Sequence, residues 1–233
     1  MSKGLYDAVS SMAASEKRLD VIAQNIANAS AIGYKREVGT VNSFEEMVNG
    51  RLVSGQGLST SIDFQQGELI ETGNTLDLGL MGEGFFTYED GDGVSYTRDG
   101  SLRLTPEGDL VSRGGRPIVW ETRTNQIQPT GAELSIDSAG YVFQGNEEIG
   151  QLRLVDFQDR KGLKQDDKGY FHAPQGMTED PATAVIYSGT YESSNVQPVN
   201  EMVEMILAQR AYQSASNTVS QIAESYSKLT QAN

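Results

Sequence analysis

Apolar residues recur every seven positions in two stretches at opposite ends of the chain. A seven-residue repeat with a second, interleaved set is typical of helices that pack side by side along a narrow seam. In the C-terminal stretch Asn195–Leu229 these residues are Met205, Tyr212, Val219 and Tyr226, interleaved with Ala208, Ala215, Ile222 and Leu229. In the N-terminal stretch they are Leu5, Met12, Leu19 and Ile26, interleaved with Ala8, Ser15, Ile22 and Ala29. Neither stretch has an apolar partner nearby in sequence, so we expect the two helices to pack together.

Residues near the helix ends support this interpretation. Pro198 suits the first turn of a helix, where a missing N–H costs nothing. Glu201 and Glu204 follow in the early turns, where the helix dipole favours carboxylates. Gly33 follows the N-terminal repeat at the position of a glycine that ends a helix. Because several seam positions are Ala or Ser, we expect close packing in a bundle of helices.

The composition excludes several classes of protein. The 233 residues include no cysteine, which rules out disulfides, thiolate nucleophiles and cysteine-bound zinc. The sequence contains no apolar run of about 18 residues, the length that marks a membrane span, and its N-terminal residues lack the apolar region of a cleaved signal peptide. We therefore expect a chain of the cytosol, or one that is exported without cleavage.

The net charge of −14 is concentrated in the middle of the chain. Residues 1–36 contain five basic and three acidic side chains, and residues 193–233 contain two and three, so the ends together carry +1. The remaining 156 residues, 37–192, therefore carry −15. This charge argues against nucleic-acid binding. Nearly neutral ends suit packing against other copies, whereas an acidic middle suits exposure to water.

The spacing of apolar residues changes between the two ends. Residues 36–75 hold few large apolar side chains, and we interpret them as an extended connector, the alternative being a surface loop of a single domain. Within the connector we expect a short helical piece at Ser43–Val48 and a strand within Gly55–Gln66. From residue 76 to 191 the apolar residues alternate and glycine-containing turns recur every eight to twelve positions, which predicts an all-β domain. The predicted strands include Leu76–Leu80, Phe85–Tyr88, Val94–Tyr96, Leu102–Leu104, Pro117–Trp120, Leu152–Val155, Tyr170–Phe171 and Ala184–Tyr187.

These patterns predict an α+β fold in which the terminal helices pair as a coiled-coil-like bundle and an all-β domain is inserted between them. The predicted divisions are an N-terminal helix in 1–35, the connector in 36–75, the β domain in 76–191 and a C-terminal helix in 192–233.

Candidate reactive residues have simpler structural interpretations. The single histidine, His172, has no second histidine or cysteine with which to share a metal. Asp90-Gly-Asp-Gly93 resembles the start of a calcium loop but lacks the later ligands, so we expect a hairpin turn. The acidic cluster Asp156, Asp159, Asp166 and Asp167 is interleaved with basic residues, which favours a solvated loop over a pair of glycosidase carboxylates. Asn28-Ala-Ser30 matches a glycosylation acceptor but lies at a helix end. The sequence thus predicts no catalytic residue, cofactor or metal site.

Three blocks of sequence resemble the flagellar basal-body rod and hook protein family. The N-terminal block is Asn25-Ile-Ala-Asn-Ala-Ser-Ala-Ile-Gly-Tyr-Lys35. The C-terminal block is Ser194-Asn-Val-Gln-Pro-Val-Asn-Glu-Met-Val-Glu-Met-Ile206, followed by Ala208-Gln-Arg-Ala-Tyr212. The central block comprises Asp63-Phe-Gln-Gln-Gly-Glu-Leu69, Thr72-Gly-Asn-Thr-Leu-Asp-Leu78, Gly82-Glu-Gly-Phe-Phe86 and Tyr96-Thr-Arg-Asp-Gly100. The blocks occur in the family's order, which one chance helix similarity does not explain.

The resemblance implies a structural subunit, without catalysis, that is exported uncleaved by the flagellar type III apparatus and polymerises through its terminal helices into the tubular rod, a drive shaft in the periplasm. Its partners would be copies of itself, other rod subunits, the export apparatus and surrounding ring proteins. Pro198 after Asn195-Val-Gln is most similar to the proximal, F-type branch. The family-signature residues are Asn25, Asn28, Gly33, Tyr34, Lys35, Asn195, Pro198, Gln209, Arg210 and Tyr212. The assembly seam comprises Leu5, Met12, Leu19, Ile22, Ile26, Met205, Tyr212, Val219, Ile222, Tyr226 and Leu229.

Other functions remain as alternatives. A distal, G-type rod subunit or a hook-type subunit belongs to the same family, although this chain is short for either. An acidic β domain on a helical stalk also suits a secreted adhesin-like binding module, but that role does not explain the signature residues at the helix ends. A carbohydrate-acting enzyme requires a convergent acid, base and pocket that the sequence does not show.

Overall fold

The computed structural model describes residues 3–48, 51–91 and 93–231 of the chain. It divides into two compact units. The first, here the helical unit, comprises residues 1–29, 36–63 and 196–233. The second, here the β unit, comprises residues 30–35 and 64–195. The terminal helices flank the central β strands, which confirms the predicted α+β class with an inserted β region. None of the described helices is long and apolar enough to cross a membrane.

The helical unit contains two long helices and a hairpin. Helix α1 spans Lys3–Ala27 and helix α2 spans Pro198–Gln231. Pro198 begins α2, as predicted. The strands of the hairpin are β1 (Glu37–Val48) and β2 (Arg51–Ile62), which pair antiparallel from Glu37 opposite Ile62 to Val48 opposite Arg51. The hairpin contacts α1, and α1 packs along α2.

The hairpin corrects the expectation of a short helix at Ser43–Val48, because these residues belong to β1. Glycines allow large side chains to lie flat across the partner strand. A Cβ at Gly55 would lie 2.8 Å from the ring of Phe44, and a Cβ at Gly39 would lie 3.2 Å from Leu58. The Ser10 hydroxyl of α1 also accepts a hydrogen bond from the Gln56 N–H. Small residues therefore give this segment a compact strand pairing, although its composition is typical of a connector.

The β unit is built from short antiparallel strands joined by tight turns. Its described strands are β3 (Leu69–Glu71), β4 (Asp77–Met81), β5 (Phe85–Asp90), β6 (Gly93–Thr97), β7 (Gly100–Leu104), β8 (Leu110–Ser112), β9 (Trp120–Arg123), β10 (Leu134–Ile136), β11 (Tyr141–Gln144), β12 (Glu147–Leu152), β13 (Leu154–Asp156), β14 (Lys164–Gln165), β15 (Phe171–His172), β16 (Asp180–Pro181), β17 (Val185–Ser188) and β18 (Thr190–Glu192). The orders within its sheets are β10-β11-β12-β9, β14-β15-β6-β5-β13-β16, β17-β4-β7-β8 and β18-β3. A 3-10 turn occupies Arg160–Gly162.

The interior of the β unit is a continuous apolar core. Most of its members lie on the inward positions of strands from several sheets, and many are completely buried. They include Leu78, Leu80, Phe86, Tyr88, Leu102, Leu110, Ile118, Val142, Ile149 and Leu152. A neighbouring group of aromatic rings brings Phe85 within 5.4 Å of Phe171, measured between ring centres.

Most of the predicted strands are present, with two corrections. Trp120 begins β9, whereas Pro117 and Ile118 make isolated bridges to Val111 and Tyr88. The predicted strand Leu152–Val155 is two strands that separate at Arg153, whose N–H donates to the carbonyl of Val119. Both departures occur where the chain passes from one sheet to another, which local alternation does not reveal.

Candidate assembly surface

The helices of the helical unit run antiparallel. Near one end of the pair, the amide of Asn25 donates to the carboxylate of Glu201 at 3.2 Å. Further along, Arg18 and Glu204 form an ion pair of 2.5 Å. Near the other end, a Cβ at Gly4 would lie 3.9 Å from the Cδ1 atom of Ile222. The first and last of these contacts are 21 positions apart on each helix, so the two helices stay in register over that span.

The predicted seam residues line the two helices with different degrees of burial. Ile22 is buried, as are the interleaved Ala8 and Ala208, which allow close approach of the helix backbones. The remaining described seam residues are half-buried: Leu5, Met12, Leu19, Ile26, Met205, Tyr212, Val219 and Ile222. The side chains of Tyr226 and Leu229 lie outside the described residues. The role of this set as an assembly seam stays a prediction.

A polar cluster closes one end of the helix pair. The Asn25 amide Nδ2 donates to the Glu37 carbonyl at 2.8 Å, and its Oδ1 accepts from the Glu37 N–H at 2.9 Å. Glu201 is buried and accepts from both Asn25 and the guanidinium of Arg36. A buried carboxylate needs such partners because burial without them is costly. The cluster therefore fixes the start of β1 against both helices.

One face of α2 exposes a continuous row of large apolar side chains. Val199 is 74% exposed, and the other members are 52 to 53% exposed. The row, here the apolar face of α2, comprises Val199, Met202, Val203, Ile206 and Leu207. Its spacing follows one side of a helix. The signature residues Gln209 and Arg210 are exposed just beyond it, and Tyr212 is half-buried.

Other signature residues lie in the loop after α1. The helix ends at Ala27, so Gly33 is not the glycine that terminates it, which corrects the sequence-based expectation. The backbone N–H and the side-chain amide of Asn28 both donate to the carbonyl of Gln24 at the helix end. Gly33 has a φ of +67°, and a Cβ there would lie 2.4 Å from the backbone nitrogen of Asp99. Only glycine fits this position without displacing the neighbouring backbone.

A second buried charge cluster is centred on Glu192 in the β unit. Its Oε1 atom accepts from the Lys35 ammonium at 2.5 Å and from the Gly67 N–H at 2.8 Å. Its Oε2 atom lies 3.4 Å from the Arg98 guanidinium. Lys35, Glu192 and Arg98 are each at most 3% exposed. Burial lowers the pKa of Arg98, and the charge of Glu192 opposes that change.

The cluster joins residues from several of the sequence blocks. The Gln65 carbonyl accepts from the Lys35 ammonium at 2.7 Å and from the Asn195 amide at 3.0 Å. The Gly33 N–H donates to the backbone carbonyl of Glu192 at 2.8 Å. Tyr34, which lies between Gly33 and Lys35 in sequence, is 2% exposed. Sequence reasoning missed Glu192, Glu201 and Arg98 as site residues, although each lies in or beside a quoted block.

The candidate reactive residues have structural partners. Asp90 pairs with Gly93 at the end of a hairpin, as expected for a turn, and Asp92 lies outside the described residues. In the acidic cluster, Asp156 pairs with Arg160, and Asp159 caps the 3-10 turn. Burial raises the pKa of Asp156, but hydrogen bonds from Arg160 and the Phe157 N–H, together with nearby guanidinium charges, hold it below its ordinary value.

Further residues of this region serve local structure in the same way. Asp166 accepts from the N–H groups of Lys168 and Tyr170. The side chain of His172 is 41% exposed, and its Nε2 atom lies 3.5 Å from the Asp166 carboxylate. No group of three or more metal-binding side chains suitable for an ion occurs among the described residues.

Three family models match the chain, in the same order as the blocks. They are the flagella basal body rod protein over residues 5–35, the flagellar hook protein FlgE/F/G D1 domain over residues 79–144, and the flagellar basal body rod FlgEFG protein C-terminal over residues 187–232. The flagellar basal-body rod protein FlgF of Caulobacter vibrioides is 32% identical, over 96% of this chain and 95% of that protein. The chain belongs to the flagellar basal-body rod protein family.

Two further rod proteins show the same similarity over nearly the whole chain. FlgG of Buchnera aphidicola subsp. Schizaphis graminum is 31% identical over 99% of this chain and 100% of that protein. FlgG of Bacillus subtilis is 30% identical over 94% of each. The resemblance to the rod proteins that the sequence blocks indicated is thereby confirmed.

Proposed function

We propose that this chain is a structural subunit of the flagellar basal-body rod that polymerises through its terminal helices and catalyses no reaction. The observation that carries this proposal is the apolar face of α2. Soluble monomers rarely leave a continuous row of large apolar residues in water, and such rows mark surfaces that other molecules cover. Val199, Met202, Val203 and Ile206 are all at least half exposed. Repetition of one such contact between identical or related subunits generates a helical tube.

The partner that fits this face is another rod subunit. None of the residues of this face is charged, so a charged partner surface would form no ion pair with them. The half-buried seam residues on α1 and α2 offer further apolar surface of the same kind. A neighbouring pair of antiparallel helices can therefore pack against it through ridges and grooves. Family membership supports the same partner, because the relatives are named as basal-body rod proteins.

We place the chain in the proximal, F-type part of the rod. The alignment with the F-type protein extends over 233 positions and covers 96% of this chain and 95% of that protein, so few insertions separate the two. The alignment with the Buchnera G-type protein extends over 262 positions, so that protein contains insertions that this chain lacks. Length therefore favours the F-type assignment, and a distal or hook-type position is the alternative.

The remaining parts of the proposal concern location and partners. The subunit would be made in the cytoplasm, exported by the flagellar type III apparatus and incorporated into the rod in the periplasmic space. The acidic β unit, rich in carboxylates on its surface, would be available to surrounding ring proteins. Family membership in the basal-body rod group supports this placement.

A pair of matched substitutions tests assembly. Met202→Asp places a charge in the apolar face of α2, and Met81→Asp places the same charge at a residue of the β unit with nearly the same exposure, 47% against 53%. Both residues are exposed, so each variant should fold. In cells whose own copy is replaced, Met202→Asp should abolish rods and swimming, whereas Met81→Asp should preserve both. Normal rods with Met202→Asp would refute assembly through this face.

Electron microscopy of basal bodies from cells that lack the chain tests its position. A rod that stops short near the inner membrane supports the proximal assignment. A longer rod without its outer part, or a complete rod without a hook, would move the chain to the distal or hook position. Complete flagella would refute the proposed role in the rod.

A further inference from the structure

The loop 30–35, here the N-terminal strap, depends on the Glu192 cluster in a one-sided way. The Lys35 ammonium is buried and pairs with the Glu192 carboxylate and the Gln65 carbonyl. A buried ammonium is stable only where such partners are already in place. The strap therefore cannot dock before β18 has brought Glu192 to its position beside β3.

The reverse dependence is weaker. Without Lys35, the Glu192 carboxylate would keep the guanidinium of Arg98 and the N–H of Gly67. Arg98 also donates to the carbonyl of Gly82 at 2.7 Å, which holds it in place independently of the strap. Glu192 is held within the strand pair of β18 with β3, and the strap residues belong to no described strand. The β unit can therefore form its charged centre before the strap is docked.

The strap also packs against completed structure rather than contributing to a sheet. Gly33 fits against the backbone of Arg98 and Asp99, where a Cβ would be only 2.4 to 2.5 Å from the nearest atoms. Tyr34 is 2% exposed, and its ring lies 4.0 Å from the position of a Cβ on Gly169. These surfaces come from the β6–β7 turn and the turn before β15, which are distant from the strap in sequence.

We propose that the N-terminal strap is a latch that closes last, after the rest of the β unit has folded, and that opens first. Residues 30–35 then undergo a separate opening step in the folded protein. The inference concerns the folded β unit alone and does not depend on the role in the rod.

Amide hydrogen exchange of the full chain, followed residue by residue by NMR in increasing urea, tests the latch. The reporter is the Gly33 N–H, which bonds to the Glu192 carbonyl. In the wild-type chain, the Gly33 N–H should become open to exchange at a lower urea concentration than the amides of β5 and β6. In Lys35→Ala, opening at Gly33 should increase about 100-fold, the size expected for loss of a buried charged partner, while β5 and β6 keep their protection.

Lys164→Ala is the matched control, because it removes an exposed lysine from the same unit. It should leave exchange at Gly33 unchanged. Two results would overturn the proposal: unchanged exchange at Gly33 in Lys35→Ala, or simultaneous opening of Gly33 and the β5–β6 amides at every urea concentration. Failure of Lys35→Ala to fold would also overturn it, because the β unit would then require the strap.

Discussion

Asn25 and Glu37 exchange two hydrogen bonds, in which the side-chain amide of Asn25 pairs with both the N–H and the carbonyl of Glu37. The amide group thus takes the place of a neighbouring strand at the start of β1. Its Nδ2 atom also reaches the buried carboxylate of Glu201. An asparagine can bond to the Glu37 N–H, the Glu37 carbonyl and the Glu201 carboxylate because its side chain offers both a donor and an acceptor.

Asn25→Asp should destabilise the helical unit by about 3 kcal/mol, because it removes the donor and places a second carboxylate beside Glu201. Thermal unfolding of the full chain, followed by the helical circular dichroism signal, measures the loss. Asn28→Asp is the control. Asn28 is half-buried and bonds only to the Gln24 carbonyl among the contacts described above, so its replacement should cost less than about 1 kcal/mol. Equal losses would contradict the special role of Asn25.

Gly33→Ala should destabilise the docked strap by at least about 3 kcal/mol, because the new methyl group meets the Asp99 backbone at a positive φ. Gly73→Ala separates the effect of the positive φ from the effect of the close contact. Gly73 has a similar φ of +74° but open space around it, so its replacement should cost about 1 kcal/mol. The measurement is hydrogen exchange of the backbone amides of the strap, followed by NMR. A smaller effect at Gly33 than at Gly73 would show that the close approach is absent in solution.

Ile22→Asp should disrupt the helix pair while leaving the β unit folded, because Ile22 is 4% exposed and burial of a carboxylate among apolar side chains is costly. Helical circular dichroism and rod assembly should both be lost. The single tryptophan, Trp120 in the β unit, provides an independent signal that should keep its native fluorescence. Val9→Asp, at a residue of α1 that is 50% exposed, is the control for folding. Motile cells with normal rods in Ile22→Asp would refute the prediction.

Alkaline pH should weaken the β unit through Tyr88. Burial, and then the charges of Asp99 and Tyr170, raise the pKa of Tyr88 well above its ordinary value of 10.0. The folded state therefore holds the phenol proton more tightly than the unfolded state, so stability is fully present below pH 10 and decreases as pH rises above it. Urea midpoints of unfolding, followed by Trp120 fluorescence at pH values below and above 10, measure the loss of stability. Tyr88→Phe should flatten it, and an equally steep decline in Tyr88→Phe would assign the effect to other groups.

The local parts of the fold could be predicted because local chemistry decides them. Alternating apolar residues and glycine turns identify most strands of the β unit, and seven-residue spacing identifies both helices. In the β1–β2 hairpin, the strand predicted within Gly55–Gln66 overlaps β2, whereas β1 was missed. These strands contain glycines and small polar residues at many of the positions where most strands carry apolar residues. The stability of the hairpin depends on contacts with α1 and on Phe44 lying across Gly55, neither of which a single stretch reveals.

The buried charge clusters could not be found from spacing, because their members are far apart in sequence. Lys35 and Glu192 are separated by 157 positions, and Arg36 and Glu201 by 165. The consecutive residues Lys35 and Arg36 even belong to different compact units. The resemblance singled out Lys35 as a signature residue, but only the fold supplies the glutamate that explains its burial.

The hydrogen bond from the Gly33 N–H to the Glu192 carbonyl brings the first and last segments of the β unit together. A domain whose first and last segments lie side by side tolerates changes of length between them, because these two segments keep their spacing. Proteins with the same terminal helices can thus carry β domains of different sizes. The same geometry marks the exposed turns within residues 64–191 as places where a tag can be inserted while Gly33 and Glu192 keep their bond.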